Sequence, residues 1–260
     1  MRRHHLFEFE DQPWLPGLVR DGMTDLLGKT IEALRLYEPV APLLADALRA
    51  TGDREILDLC SGGGGPLPRL RRALAASQGL DVTARLSDFY PNIAAFERIA
   101  ADEDGRVGYV PTPVDATRVP PELTGFRTLF TSFHHFRPDA ARAILGDAFA
   151  QRRGIAVFEF TERSAIGLAQ MALTPVTSAL LTPFLRPFRW SRLALSYVVP
   201  IIPALFIFDG VVSQLRTYTP EELREMTGPL QSREYTWEIG RTSHPIFPSK
   251  LTYLLGLPNA

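Results

Sequence analysis

The stretch that most constrains the fold of this chain is residues 56–65, which read ILDLCSGGGG. An apolar run of strand-forming residues ends in an acid and passes into four consecutive glycines, and a helix-like segment opens behind them with Pro66 and Pro68. Glycine has no Cβ and tolerates positive φ, so the backbone at such a turn comes close to a ligand. A strand, a glycine-rich turn and a helix amino terminus form the nucleotide or nucleoside cradle of a doubly wound α/β sheet. The stretch therefore predicts a cofactor site.

The spacing of the glycines indicates which class of cofactor the turn can bind. A P-loop needs a lysine followed by Ser or Thr after its last glycine, whereas Gly65 is followed by the letters PLPR. The pattern that remains is an acid, Asp58, followed by Gly62 and Gly64. It resembles motif I of the class I S-adenosylmethionine-dependent methyltransferases, in which an acid and alternating glycines follow the first strand. Cys60 stands where that family usually has its first glycine.

A second acid follows at the spacing of that family. Residues 81–86 alternate as a strand does and run into Asp88, 30 residues after Asp58. The resemblance implies that Asp88 holds the ribose hydroxyls of the cofactor, because a carboxylate accepts two hydroxyl hydrogen bonds at once.

The remaining strands of the core follow in the same order. Residues 107–110 predict a third strand, and Asp115 with Ala116 stands in the region where the family contacts adenine. Residues 129–136, LFTSFHHF, take the place of the fourth strand and its motif, and residues 154–160 that of the fifth strand. The resemblance thus covers roughly residues 55–160.

The cofactor implied by this resemblance is S-adenosylmethionine. The residues implied to bind it are Asp58, Cys60, Ser61, Gly62, Gly64, Asp88, Phe89, Asp115, Ala116 and Thr131. Taken singly, a glycine run is most often an ordinary loop, and Asp88 or Asp115 suits a turn or a helix cap. Their joint position at the ends of successive strands, where open α/β sheets bind ligands, favours the cofactor site.

Composition bounds the remaining possibilities. With 260 residues, 45% hydrophobic and 22% charged, the chain can bury a full core in one domain with a lid. A net charge of −1 disfavours a nucleic-acid substrate. The single cysteine excludes internal disulfides, and the scattered histidines predict no metal site. The amino terminus lacks the apolar core of a secretion signal, so the predicted location is the cytoplasm.

Residues 1–50 are predicted to form an amino-terminal helical cover, with helices at 18–27 and 31–48. Such helices commonly cover the cofactor pocket of small-molecule methyltransferases, so the resemblance implies Trp14 and Tyr37 as substrate-binding residues. Ordinary core packing is the alternative for both aromatic side chains.

Residues 164–218 form a segment that is unusually apolar. Residues 164–185 and 193–208 contain no charged residue, and three arginines lie between them. The first run is long enough to span a membrane, but hydroxyl residues and prolines dilute it, and a hairpin would carry three arginines across the bilayer. The favoured prediction is a helical lid over a small, largely apolar or aromatic substrate, with Arg216 at its end binding that substrate. Peripheral membrane contact through residues 164–208 stays open.

The end of the chain completes the predicted sheet. Thr219, Pro220 and Glu222 predict a capped helix start, and residues 235–239 and 250–255 predict the last two strands. The predicted fold is α/β, a Rossmann-like doubly wound sheet of seven strands with an antiparallel last strand, amino-terminal helices and a helical lid inserted after strand 5. The predicted divisions are 1–50, 51–163, 164–218 and 219–260.

Two adjacent histidines are the predicted catalytic residues. His134 and His135 follow the predicted fourth strand, beside the expected methyl group, and a neutral imidazole is a suitable base near pH 7. Neighbouring strand residues face opposite ways, so one of the two is expected to reach the substrate, with His134 preferred. Glu159 and Glu162 are secondary candidates for this base. The alternative is that the two histidines only line the cofactor pocket.

The sequence therefore predicts methyl transfer from S-adenosylmethionine to a small acceptor. Two other functions stay open. A protein of this fold can bind the cofactor and carry out chemistry other than methylation, because fold does not determine reaction. A membrane-peripheral binding protein is the second. The acceptor, the methylated atom and the oligomeric state do not follow from the sequence.

Overall fold

A seven-stranded mixed sheet forms the centre of the molecule, in a computed structural model that describes residues 1–259. The strands are β1 Glu55–Asp58, β2 Thr83–Leu86, β3 Val107–Tyr109, β4 Phe126–Phe130, β5 Ile155–Glu159, β6 Tyr235–Ser243 and β7 Lys250–Pro258. Their order across the sheet is β3-β2-β1-β4-β5-β7-β6. The first five strands are parallel, and β7 runs antiparallel to both β5 and β6. The predicted fold class is confirmed.

Helices cover both faces of this sheet. They are α1 Gly17–Ala33, α2 Ala41–Thr51, α3 Leu67–Gln78, α4 Ile93–Asp102, α5 Pro138–Ala150, α6 Ala165–Gln170, α7 Thr174–Leu181, α8 Trp190–Leu193, α9 Ile201–Arg216 and α10 Pro220–Thr227. Successive strand residues point to opposite faces, so Ile56 packs in the cluster of α2 and α3 while Leu57 packs in that of α5 and α10. Because both faces are buried, the central strands are nearly continuous apolar runs.

Several element boundaries differ from the predicted ones, and three of the differences lie near the site. Helix α1 runs on to Ala33, and the predicted second helix begins only at Ala41, after a short 3₁₀ helix Glu38–Val40. Arg35 takes a left-handed φ of 54°, which separates the end of α1 from the 3₁₀ helix. The predicted strand at 129–136 is wrong at its carboxyl end: β4 stops at Phe130, because Thr131 takes a left-handed φ of 47°.

The start of α10 is as predicted. The Thr219 hydroxyl accepts a hydrogen bond from the Glu222 N–H, and the Glu222 carboxylate accepts one from the Thr219 N–H. This reciprocal cap begins the helix that follows residues 164–218 and so sets where the inserted segment ends.

The inserted segment packs on α1 at the carboxyl edge of the sheet. Met23 and Leu26 of α1 share a buried cluster with Leu185 and with Ile202 of α9, and Arg192 of α8 hydrogen-bonds the Asp25 carboxylate. By length and composition, Ala165–Phe184 is apolar enough to cross a membrane, and so is the pair Trp190–Val198 and Ile201–Arg216, which is bent by 71°. The division of the chain into separable domains stays a prediction.

Candidate active site

The turn after β1 is held from below by a buried carboxyl group. Asp58 accepts hydrogen bonds from the Thr128 hydroxyl at 2.6 Å and from the Ser61 hydroxyl at 2.7 Å. Burial raises the pKa of Asp58 to about 7, although both hydroxyl hydrogen bonds act in the opposite direction. Asp58 thus ties the turn to β4, and its side chain does not line the cavity above the turn.

Above Asp58 the glycine turn needs left-handed backbone. The φ angles are 59° at Cys60, 54° at Gly62 and 105° at Gly64. A Cβ on Gly64 would lie 2.1 Å from the Ile99 Cδ1 atom, whereas one on Gly62 would point into open space. The turn therefore leaves exposed backbone at Gly62 with room for a ligand against it.

Asp88, at the end of β2, meets this turn. One carboxylate oxygen accepts a hydrogen bond from the Gly62 N–H at 2.8 Å, and the other accepts from the Tyr90 N–H at 2.8 Å. Each carboxylate oxygen has further lone pairs, so Asp88 can still accept hydroxyl hydrogen bonds from a ligand.

A cavity of about 690 Å³ lies over the carboxyl ends of β1, β2 and β4. A volume of this size matches that of ordinary small-molecule sites. Of the predicted site residues it is lined by Tyr37, Cys60, Ser61, Gly62, Asp88, Thr131 and His135. The Tyr37 hydroxyl is hydrogen-bonded to the Thr131 hydroxyl in its wall.

Other predicted residues lie outside the cavity lining, as far as residues 1–259 are concerned. Asp115 is exposed and accepts hydrogen bonds from the Thr117 N–H and hydroxyl, while Ala116 is buried in an apolar cluster. Phe89 and Trp14 are exposed, and Trp14 contacts Phe9. Gly64, His134 and Arg216 are buried behind the lining residues.

The two histidines occupy a 3₁₀ turn, Phe133–His135, rather than a strand. Their ring centroids are 4.3 Å apart. The buried His134 places Nδ1 2.8 Å from the Glu159 carboxylate, and its Nε2 has no hydrogen-bond partner among the described residues. Because the turn replaces the predicted strand, alternation of side chains does not separate the two rings, and His135 is the one that borders the cavity.

His135 is paired with acids from the amino-terminal tail. Its Nδ1 atom lies 3.1 Å from the Asp11 carboxylate and 3.3 Å from the Glu8 carboxylate. Burial lowers the pKa of His135, but the hydrogen bond to Asp11 and the charges of Glu8 and Asp11 outweigh it and raise the pKa to about 9. The same contacts hold the pKa of Asp11 well below its usual range, against the effect of its own burial.

Residues 3–11 are hydrogen-bonded along the carboxyl-terminal half of α9. Asp209 accepts hydrogen bonds from the Phe9 N–H at 2.7 Å and the Glu10 N–H at 2.9 Å. Arg216 donates to the Asp11 carboxylate at 2.9 Å and lies 3.3 Å from the Glu8 carboxylate. Glu8 and Asp11 were not predicted as site residues, and the only signal for them is the alternation of acids and aromatics in FEFED.

The ligand atoms of Glu8, His134 and His135 lie within 4.8 Å of one another, which is a loose grouping for a metal site. Arg216 already brings a positive charge to 3.3 Å from Glu8. With His135 protonated, two cations face two carboxylates, so the described residues balance their charges by themselves. The predicted absence of a metal stays a prediction.

No protein-family model matches the chain, and a search of the curated proteins finds no significant match. Solved structures are similar. An O-methyltransferase from neocarzinostatin biosynthesis, in complex with S-adenosylmethionine and 2-hydroxy-5-methyl naphthoic acid, has 16% identity and a TM-score of 0.53 over 93% of this chain. This chain spans only 58% of the length of that enzyme.

Two further structures are matched over nearly their whole length. The methyltransferase domain of bacterial CtHen1 has 12% identity and a TM-score of 0.51, over 85% of this chain and 99% of that domain. A putative Zn-dependent alcohol dehydrogenase from Rhodobacter sphaeroides has 14% identity and a TM-score of 0.51, over 92% of this chain and 98% of the other. At such identities the likeness establishes the Rossmann-like methyltransferase fold and leaves the reaction to the site.

Proposed function

We propose that this protein is an S-adenosylmethionine-dependent methyltransferase that acts on a small, largely apolar or aromatic acceptor. One observation carries the proposal: a single cavity is bordered by the exposed backbone of the glycine turn, by the Asp88 carboxylate and by the imidazole of His135. Groups that can bind a nucleoside and a group that can act as a general base thus face the same cavity. The fold supports this function, and the naphthoic acid in the neocarzinostatin enzyme motivates the choice of an aromatic acceptor.

The residues present fit the proposed cofactor. Asp88 retains acceptor capacity for two ribose hydroxyls, and the open space over Gly62 lets the methionine portion approach the backbone. Cys60, Ser61 and Thr131 complete this wall. When bound there, S-adenosylmethionine supplies an electrophilic methyl group. Asp58 is assigned a supporting role, since it holds the turn through Ser61 and Thr128.

His135 is proposed as the group that accepts the proton of the acceptor hydroxyl. Its Nδ1–H is directed at Asp11 and Glu8, which leaves Nε2 as the basic atom once the ring is neutral. The carboxylates orient the ring and stabilise the imidazolium that forms when the proton arrives. Because the pKa of His135 is about 9, the neutral form is scarce at pH 7, and proton acceptance strengthens as pH rises.

His134 is proposed as a positioning residue. Its Nδ1 contacts Glu159 at 2.8 Å and its backbone N–H donates to the same carboxylate at 3.1 Å, so the turn that carries His135 is anchored to β5. His134 and Glu159 thus fix the place of the neighbouring ring without touching the cavity.

The proposed acceptor is a small molecule, and the net charge of −1 disfavours a nucleic-acid substrate. A cytoplasmic location remains a prediction. Chemistry other than methylation on the same cofactor, and a binding protein without activity, are the competing functions.

Two measurements separate these functions. Calorimetry should show binding of S-adenosylmethionine, and incubation with methyl-labelled cofactor and a panel of hydroxylated aromatic compounds should give a labelled product. His135→Ala should lower turnover about a hundredfold or more with nearly unchanged cofactor affinity. Absence of cofactor binding would leave the binding-protein function, whereas binding without a methylated product would favour other chemistry.

A further inference from the structure

Helix α7, with the residue before it and the turn after it, carries an apolar stripe on its outer side. Leu173, Val176, Leu180 and Phe184 are between 55 and 64% exposed. Their spacing of three and then four residues places them on one face of a helix. Monomeric proteins seldom leave such a stripe in water, and a patch of this kind marks an interaction surface.

Three polar residues of the same segment point inward. Thr174, Ser178 and Thr182 are spaced four apart and are all buried. The Thr182 hydroxyl is satisfied by the Ser178 carbonyl at 2.7 Å, while the Ser178 hydroxyl has no partner among the described residues. This is the reverse of the usual arrangement, in which a surface helix turns its apolar face to the core. The outer side of α7 is therefore built for apolar surroundings.

The next elements extend this side. Phe188 and Trp190 pack edge to face with centroids 5.2 Å apart, and the Tyr197 hydroxyl bonds the Ala179 carbonyl of α7. Tyr197 thereby brings the exposed Val198 and Val199 next to the stripe. Within residues 1–259, twelve of the twenty exposed large hydrophobic side chains lie between 166 and 208. We name residues 173–199 the outer apolar face.

Charge and aromatic content indicate what covers this face. Residues 164–208 contain three arginines and no Asp or Glu. Arg186 and Arg189 are exposed, and Arg189 lies 3.7 Å from the Asp21 carboxylate of α1. Apolar side chains beside exposed Trp, Tyr and Arg are the composition that suits the boundary between lipid headgroups and acyl chains.

We infer that the outer apolar face docks on the surface of a lipid bilayer that contains anionic phospholipids. The apolar side chains enter the boundary region, and the exposed Arg186 and Arg189 pair with headgroup phosphates. The contact is peripheral, because the other side of the segment stays packed on α1 through Leu185 and through the bond between Arg192 and Asp25.

The docked orientation has a consequence for the cavity. Phe184, Leu185 and Arg186 lie within the outer apolar face and also line the cavity. The cavity then opens beside the membrane surface, so the acceptor is an amphipathic molecule that partitions into lipid. This second step rests on the proposed function, whereas docking itself does not.

Sedimentation with lipid vesicles tests the docking without cofactor or acceptor. The full chain should bind vesicles of phosphatidylcholine mixed with phosphatidylglycerol more tightly than vesicles of phosphatidylcholine alone, and added salt should weaken this difference. The double variant Arg186→Glu/Arg189→Glu should lose about tenfold or more in affinity for the mixed vesicles. The matched control is Arg54→Glu/Arg233→Glu, two exposed arginines at the opposite edge of the sheet, which should bind as the unaltered protein does.

A second variant tests the apolar contribution. Val176→Asp/Leu180→Asp should abolish binding to both kinds of vesicle while circular dichroism and the melting temperature stay unchanged, because both side chains point outward.

Absence of vesicle binding by the unaltered protein, or equal losses of affinity in the two arginine double variants, would overturn the inference. So would a stable dimer, seen by sedimentation velocity, that buries this face and leaves lipid unbound. Release only by detergent would replace peripheral docking with a spanning segment. Calorimetry with S-adenosylmethionine is independent of all these outcomes, so failure of the proposed function is recognised separately.

Discussion

Asp11→Asn should move the pH dependence of the reaction, because Asp11 is one of two carboxylates that hold the proton on His135. The Nδ1 atom lies 3.1 Å from Asp11 and 3.3 Å from Glu8, and together these acids raise the pKa of His135 to about 9 despite burial. An opposite charge at this distance raises a histidine pKa by about 1 to 3 units, so removing one of two should lower it by about one unit. One unit corresponds to about 1.4 kcal/mol of differential stabilisation of the imidazolium.

The assay is kcat/KM for the acceptor at saturating cofactor between about pH 6 and pH 10. Only the neutral ring accepts a proton, so the unaltered enzyme should gain about tenfold in rate per pH unit until the ring is neutral, near pH 9. Asp11→Asn should reach its plateau about one unit lower, since Glu8 still orients the Nδ1–H. Asp46→Asn, an exposed acid of α2 paired with Arg49, is the matched control and should keep the original profile. An identical profile in Asp11→Asn would refute the assignment of His135 as the base.

Four further variants test the turn after β1 and the acids that contact it. Asp88→Ala should weaken binding of S-adenosylmethionine by roughly 1.5 to 3 kcal/mol in calorimetry, because two hydroxyls lose their ionised acceptor, and unchanged affinity in the folded variant would remove this role. Gly64→Ala should lower the free energy of unfolding by about 2 kcal/mol or more in urea titrations, since φ is 105° and the new Cβ meets Ile99. Gly62→Ala, with open space around it, should cost about 1 kcal/mol, and equal losses would contradict the packing argument. Burial raises the pKa of Asp58 to about 7, so the carboxyl group binds its proton more tightly in the native state than in the unfolded chain, and the free energy of unfolding falls as pH rises from about 4 to 7. An asparagine side chain does not titrate, so the free energy of unfolding of Asp58→Asn should rise by about 2 kcal/mol relative to that of the unaltered protein between about pH 5 and pH 8. A difference that stays constant over this range would exclude a protonated Asp58.

Patterns among residues close together in sequence were enough to predict the core of the fold. The apolar run before Asp58 has to be a buried strand, and the glycines after it are needed because Gly64 takes a φ that other residues avoid and has a neighbour where its Cβ would be. The cap of α10 follows from Thr219 and Glu222 three residues apart. Each of these features depends on residues close in sequence, so the amino-acid order alone predicts them.

Part of the site could not be predicted in this way. The prediction that strand alternation separates His134 from His135 failed when Thr131 took a left-handed φ and ended β4 early, since a turn has no period of two. Asp58 matched a cofactor motif, yet its oxygens point to hydroxyls of β4 and of its own turn. A single backbone angle or a neighbouring strand decides such orientations, and neither is encoded in a spacing.

The sequence alone determined the sheet, the glycine turn and the acid at the end of β2, because periodicity, glycine geometry and strand order are local or successive properties. Only the tertiary structure brought Asp11 to His135 and Arg216, across separations of more than a hundred residues. Only the structure, too, showed that Thr174 and Ser178 of α7 face inward while Val176 and Leu180 face outward. An apolar run has the same composition whether its face is buried or exposed, and packing against α1 and α9 decides between the two.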